Sequence, residues 1–203
     1  MTTVATLAPP VETVADLLER LGDIPPERVH IRPPPGLATE QDLIEAESRL
    51  NRLCELVDGV LVEKPMGYYE ARLAVVLCYF LESYLEQHDH GIVLGADGMV
   101  RVEGQVRLPD VSFLSWDRFP NRALPRGAIL GLTPDLAVEV ISPSNTEREM
   151  ERKRREYFAG GARLVWQVYP ETRRVRVYSA AEDFTELDED QTLDGGPVLP
   201  GFS

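Results

Sequence analysis

Pro134-Asp135-Leu136-Ala137-Val138-Glu139-Val140-Ile141 places a glutamate inside a run that is otherwise apolar on both faces. Such a run reads as a strand covered from both sides. An ionised carboxylate buried there costs several kcal/mol unless a cation or a metal compensates it. Glu139 therefore marks a site rather than a surface. Upstream, Val100-Arg101-Val102-Glu103 and Val106-Arg107-Leu108-Pro109 form a second strand-like stretch that ends at Asp110. Downstream, Lys153 lies three residues after Met150 and four before Tyr157, so it shares the core-facing side of a predicted helix and its ammonium reaches toward the sheet. Ordinary snorkelling over apolar surface would look the same in sequence. Asp, Glu and Lys converging on one sheet are what a magnesium-dependent phosphodiesterase needs.

Pro-Asp occurs twice, at Pro109-Asp110 and Pro134-Asp135. Asp135 and Glu139 point to the same face four positions apart, roughly 13 Å at strand rise. Ligands of one magnesium lie about 2 Å from the ion, so this pair does not chelate a single metal. Asp110, on another strand, can be brought beside Glu139. Asp110 and Glu139 are the expected metal ligands, and Asp135 reads as a strand-start turn residue. Glu70 borders the apolar stripe of a predicted helix. It is a further candidate, against the alternative of a solvated glutamate.

Around these residues the pattern predicts one α/β (α+β) domain, a mixed central sheet flanked by helices. Residues 1–38 read as a loosely attached leader. It holds a short helical pattern at Val14-Leu17-Leu18-Leu21, then Pro25-Pro26 and Pro33-Pro34-Pro35-Gly36. Residues 39–203 form the domain. Thr39 and Asp42 resemble a capping box, residues 55–63 a hairpin around Asp58-Gly59, and residues 68–87 a helix. Strands are expected at about 92–94, 99–107, 110–114 and 135–141, a helix at about 146–159, and strands at 164–169 and 174–178.

The chain has 203 residues, 43% hydrophobic and 27% charged, which suits one soluble globular domain. No run approaches the roughly 20 apolar residues of a membrane span, and Met1-Thr2-Thr3-Val4-Ala5 lacks the features of a signal peptide. Cys54 and Cys78 read as reduced core thiols, which points to the cytoplasm. The net charge of −13 weighs against duplex binding, which is driven by Lys and Arg neutralising phosphates. The charge is uneven, however. Residues 182–190 are acidic, whereas residues 148–176 carry Arg148, Arg152, Lys153, Arg154, Arg155, Arg163, Arg173, Arg174 and Arg176. That run is either a basic patch beside the site or a solvated, ion-paired helix. There is no GxGxxG, no Walker-type glycine loop and no GxSxG. With three histidines, none near an obvious nucleophile, a Ser-His-Asp or Cys-His hydrolase has little support. His88-Asp89-His90 reads as a polar turn, and Asp188-Glu189-Asp190 as a surface loop without EF-hand spacing.

Arg107-Leu108-Pro109-Asp110-Val111-Ser112-Phe113, Pro134 to Ser144, Lys153 with Tyr157, and Leu193-Asp194-Gly195-Gly196 with Leu199-Pro200-Gly201-Phe202 match one pattern. From about Glu55 to the C-terminus the chain resembles the restriction-endonuclease-like family catalogued as domain of unknown function 820, within the PD-(D/E)XK nuclease superfamily. The resemblance implies that Asp110 is the aspartate of the superfamily signature and Glu139 its second acid. The signature places a lysine two residues after that acid, where this chain has Ile141. Lys153 on the following helix is expected to present its ammonium at the same point in space. Magnesium, for which manganese substitutes, would be held by Asp110, Glu139 and the Val140 carbonyl, with Glu70 acting through a metal-bound water. The implied chemistry is hydrolysis of DNA phosphodiester bonds, leaving a 5′-phosphate, by a homodimer, since cutting both strands commonly uses two sites related by a two-fold axis. Two other readings remain: a catalytically inactive nuclease-fold binding module, motivated by the acidic balance and Ile141, and a metal hydrolase acting on a small phosphodiester.

Overall fold

Two threonines open the first two helices of the computed structural model, which describes residues 11–65 and 67–203. Thr13 caps α1 (Val14–Leu21) and Thr39 caps α2 (Glu40–Leu50). In each, the hydroxyl accepts the N–H of an aspartate three residues on, and that carboxylate accepts the threonine N–H. Donors that a helix start would leave orphaned are thereby satisfied.

The chain continues through β1 (Cys54–Val57), β2 (Val60–Glu63), α3 (Tyr68–Leu85), β3 (Gly91–Leu94), β4 (Met99–Val102), β5 (Gln105–Arg107), β6 (Val111–Ser115) and β7 (Ile129–Leu130). Then come β8 (Leu136–Val140), α4 (Glu147–Ala159), β9 (Leu164–Tyr169), β10 (Arg174–Ala180) and β11 (Asp183–Leu187). Residues 99–107 form a hairpin instead of the single strand expected. Glu103 and Gly104 take left-handed backbone angles, φ 48° and 77°, as a two-residue turn of this hand requires. β11 was not foreseen at all, because its alternation is masked by acidic residues.

The mixed α+β architecture is as expected, but the strands divide into two sheets. One has the order β2-β1-β5-β4-β7 and the other β11-β10-β9-β8-β6-β3. In the second sheet β8 runs parallel to β9 and antiparallel to β6. Both faces of β8 are covered, as its apolar run demands. On one side Leu136 and Val138 join Ala74, Leu81 and Leu85 of α3; on the other, Ala137 joins Tyr157 of α4 with Val100 and Val102 of β4. Among the described residues no helix is long and apolar enough to cross a membrane.

The expectation of a loosely attached leader is corrected for residues 11–38. Leu17, Leu21 and Ile24 are buried against Val57, Val60 and Val62 of the first hairpin. Polar contacts tie the segment to α4 as well. Arg28 forms a two-pronged ion pair with Glu149 at 2.7 and 3.0 Å, and Arg152 donates to the Arg20 carbonyl at 2.7 Å. Gly22, which ends α1 with φ 92°, lies so close that a Cβ there would meet the Glu149 backbone at 2.7 Å. Only glycine satisfies both the angle and the approach. The prolines that suggested irregularity shape the path of the segment; they do not detach it.

If α1 is part of the core, Leu21→Ala should cost about 2–5 kcal/mol, the range for a buried leucine truncation. Urea denaturation checks this; a loss under about 0.5 kcal/mol, typical of surface positions, would restore the loose leader.

Candidate active site

Glu139 points off β8 toward α4, where Tyr157 donates to its Oε1 at 2.6 Å. The Lys153 Nζ lies 3.4 Å from Glu139 Oε2 and 2.9 Å from Oε1 of Glu55 on β1. Lys153, Glu55 and Glu139 are all buried. One ammonium thus faces two carboxylates, each from a different sheet. Arg107, also buried, closes the network with Glu55 at 2.8 Å and with Glu156. The Glu55 Oε1 that faces Lys153 also accepts the Leu108 N–H at 3.1 Å, while Oε2 takes Arg107. On β9, Gln167 stands directly across from Glu139 and donates to the Met150 carbonyl at 3.2 Å, which fixes α4 over the strand.

Asp110 stands just before β6, where its N–H donates to the Val138 carbonyl at 2.9 Å. Its Oδ2 accepts the Val140 N–H at 2.6 Å, and its Oδ1 lies 2.9 Å from Nζ of the buried Lys64. Lys64 is held in turn by the carbonyls of Ala96 and Leu108. Ile141 donates to Val168 on β9. The Val140 N–H and C=O, pointing the other way, both face the edge where Asp110 sits.

Burial, reinforced by the charges of Asp110 and Glu55, pushes the Glu139 carboxyl up to about 7, against the opposing pull of Lys153. Glu55 goes the other way. Burial alone would raise it, yet Lys153 and Arg107 outweigh that and hold it at about 2. Burial likewise pulls Lys153 down, but Glu139 and Glu55 hold it above the usual lysine range, so it stays an ammonium at neutral pH. Tyr157, raised by burial and by Glu139, keeps its proton and donates it.

The structure therefore gathers Asp110, Glu139, Val140 and Lys153 at one end of β8. Glu70 is not brought into this network. It occupies the third position of α3 and folds its carboxylate back over Gly67, into the space a side chain at 67 would need. There it faces the positive end of the helix dipole. Asp135 is buried at the far end of β8, where it accepts the Ser115 N–H at 2.9 Å and meets Arg163 at 3.2 Å. This is the role of a strand-start residue.

Two members of the site went unread in the sequence. Glu55 offers the same signal as Glu139, a carboxylate in an apolar strand, but a hairpin with one solvent face would accommodate it. It is the docking of residues 11–38 that covers that face. Lys64 follows β2 with no periodicity to mark it. The basic run resolves as the ion-paired alternative: each of its nine Lys and Arg residues has a carboxylate within 4 Å, several supplied by Glu182, Glu186 and Glu189 of the acidic run. A cysteine–histidine arrangement does occur, with Cys54 Sγ 3.8 Å from His30 Nε2. Burial raises that thiol to about 11, so it is no nucleophile.

Asp110, Glu139 and the Val140 carbonyl offer oxygen donors, the kind that a hard divalent cation takes. Among the described residues no group of three His, Cys, Asp or Glu side chains is assembled, so such an ion would keep water ligands, as magnesium does.

A family model described as "Putative restriction endonuclease", Uma2, matches residues 41–203. The fold is similar to the crystal structure of a putative nuclease belonging to DUF820 from Anabaena variabilis ATCC 29413. The TM-score is 0.64 at 19% identity, over 73% of this chain and 84% of that one. No curated protein matches the chain.

The opposed shifts predict a pH signature in metal-free buffer. Glu139 binds its proton more tightly folded than unfolded, so its contribution to stability falls as pH rises from the ordinary glutamate value, 4.5, to about 7. Glu55, held at about 2, acts only below that window, its contribution lost as pH falls. Urea midpoints between about pH 5 and pH 8 should therefore decline more steeply in the parent than in Glu139→Gln. Parallel slopes would contradict the buried, proton-retaining carboxylate.

Proposed function

This chain belongs to the Uma2 family, and from that premise we propose that it is a magnesium-dependent endonuclease that hydrolyses DNA phosphodiester bonds. The observation that carries the reading is the convergence of Asp110, Glu139 and a buried lysine on one strand end, with Lys153 Nζ 3.4 Å from Glu139. Asp110 and Glu139, with the Val140 carbonyl, would hold the ion. When bound, it supplies a water of lowered pKa and neutralises the scissile phosphate.

The chain's own residues do the rest. Lys153 keeps its proton at neutral pH, so it is no general base. It acts as a fixed positive charge that orients the attacking water and stabilises the charge developing on the phosphoryl oxygens. Tyr157 holds the Glu139 carboxylate through its 2.6 Å hydrogen bond, and Glu55 holds Lys153 in place. Water adds to phosphorus and the bond to the 3′ oxygen breaks, leaving a 5′-phosphate and a 3′-hydroxyl. Ile141, where the superfamily signature has its lysine, leaves that position to an ammonium arriving from α4. Glu70, turned back over Gly67, is assigned no step.

A second reading, hydrolysis of a small phosphodiester, draws on one observation: the basic residues of 148–176 are already matched by carboxylates. That leaves little bare cationic surface for a duplex.

With supercoiled plasmid in magnesium or manganese, the parent should cut, and Asp110→Ala or Glu139→Ala should lose at least about 100-fold in rate, on the scale of removing one group that stabilises transition-state charge. Because Glu139 must shed its proton to bind a cation, cleavage at subsaturating magnesium should rise with pH from the acid side, with a midpoint that falls as magnesium is added. Cleavage retained by both variants would refute the site. Turnover of a chromogenic diester without plasmid cleavage would select the second reading.

A further inference from the structure

The outward face of α3 carries large apolar side chains interspersed with its charged ones. Tyr68 is 91% exposed, Tyr79 66%, Val75 63%, Phe80 55% and Tyr69 51%. Five of the twelve large hydrophobic residues exposed among the described residues thus lie on this one helix, and contiguous patches of this kind mark interaction surfaces. The opposite side of α3 is already spent on the core through Ala74, Leu81 and Leu85.

The exposed positions have a period. Tyr68, Arg72, Val75, Tyr79, Glu82 and the C-cap residue Glu86 follow one another at spacings of four, three, four, three and four. This is the seam spacing of two helices packed side by side. Over 18 residues the seam runs about 27 Å. We propose that α3 pairs with α3 of a second copy of this chain, antiparallel, about a two-fold axis at Leu77. That axis sets Arg72 opposite Glu82, Val75 opposite Tyr79, and the Tyr68 hydroxyl opposite the Glu86 carboxylate, each contact made twice.

Charge decides both the occupant and the direction. Among the described residues, Arg72, Glu82 and Glu86 have no ion-pair partner in their own chain, whereas the arginines of α4 do. A parallel pairing would set Arg72 on Arg72 and Glu82 on Glu82. An anionic membrane or a nucleic acid would meet two glutamates and one arginine along the seam. A second antiparallel copy satisfies all three groups. The inference rests on this surface alone and holds whether or not the site cuts DNA.

Sedimentation velocity of the full chain tests it, on the parent, Tyr79→Glu, Arg72→Glu and the swap Arg72→Glu/Glu82→Arg. All the altered side chains are exposed, and far-ultraviolet circular dichroism checks each fold. The parent should be a dimer at tens of micromolar, and the two single variants monomers. The swap, which restores opposite charges across the axis, should dimerise at least tenfold more tightly than Arg72→Glu. A monomeric parent, a dimer in every variant, or a swap no tighter than its single parent variant would overturn the proposal. So would a monomeric parent that binds anionic vesicles or single-stranded DNA through Tyr79.

Discussion

One buried ammonium organises this protein. Lys153 extends from α4 into a space where Glu55 of the first sheet and Glu139 of the second both face it. A single charge is thereby shared by two sheets and a helix. Desolvating an amine and two carboxylates is costly, and each charge is tolerable only while the others are present. Arg107, Arg152 and Tyr157 complete the set, so that three carboxyl groups (Glu55, Glu139 and Glu156) meet three cations and one hydroxyl donor. The balance is asymmetric. Glu55 is held strongly as an anion, while Glu139 is left close to neutrality in its proton affinity. A buried carboxyl group shifted this far by desolvation and named charge partners is a functional-site candidate.

That asymmetry ties scaffold to chemistry. Glu55 and Glu139 both hold the lysine, at 2.9 and 3.4 Å, and under the proposed function Glu139 is the one that would also serve as a ligand. Asp110 is prepared differently, by a backbone N–H on one oxygen and Lys64 on the other. Both acids are therefore oriented before any ligand enters, as preorganised electrostatic sites require. The acidic and basic runs show the same economy at the surface. Glu182 pairs with Arg154 and Arg155, and Glu186 with Arg174 and Arg176. The net charge of −13 is consequently not an even field, because its basic residues have been used to fasten β10, β11 and α4 together.

Glu139 was legible because a carboxylate in a doubly covered strand has no innocent reading, and Lys153 because helical spacing aligned it with Met150 and Tyr157. Asp110 followed from strand rise, which removed Asp135. Glu55 and Lys64 were not legible, since their burial depends on which distant segment closes over them. For Glu55 that segment was residues 11–38, whose prolines resemble a linker while Leu17, Leu21 and Ile24 do the packing. The division into two sheets was hidden for the same reason. Period-2 patterning reveals a strand, but not which neighbour it pairs with. The hairpin at Glu103-Gly104 interrupts a pattern that alternates equally well as one strand. The exposed positions of α3 were not legible, because only burial in the folded chain tells its outward side chains from those that face the core.

The claim on which the rest depends is that Glu139, paired with Lys153, is also a ligand for a divalent cation. Manganese binding to the parent and to Glu139→Gln, followed by electron paramagnetic resonance, tests it without requiring a substrate. Saturable binding of about one ion per chain in the parent, lost in the variant, is the predicted result. Equal binding by both, or none by either, would contradict it.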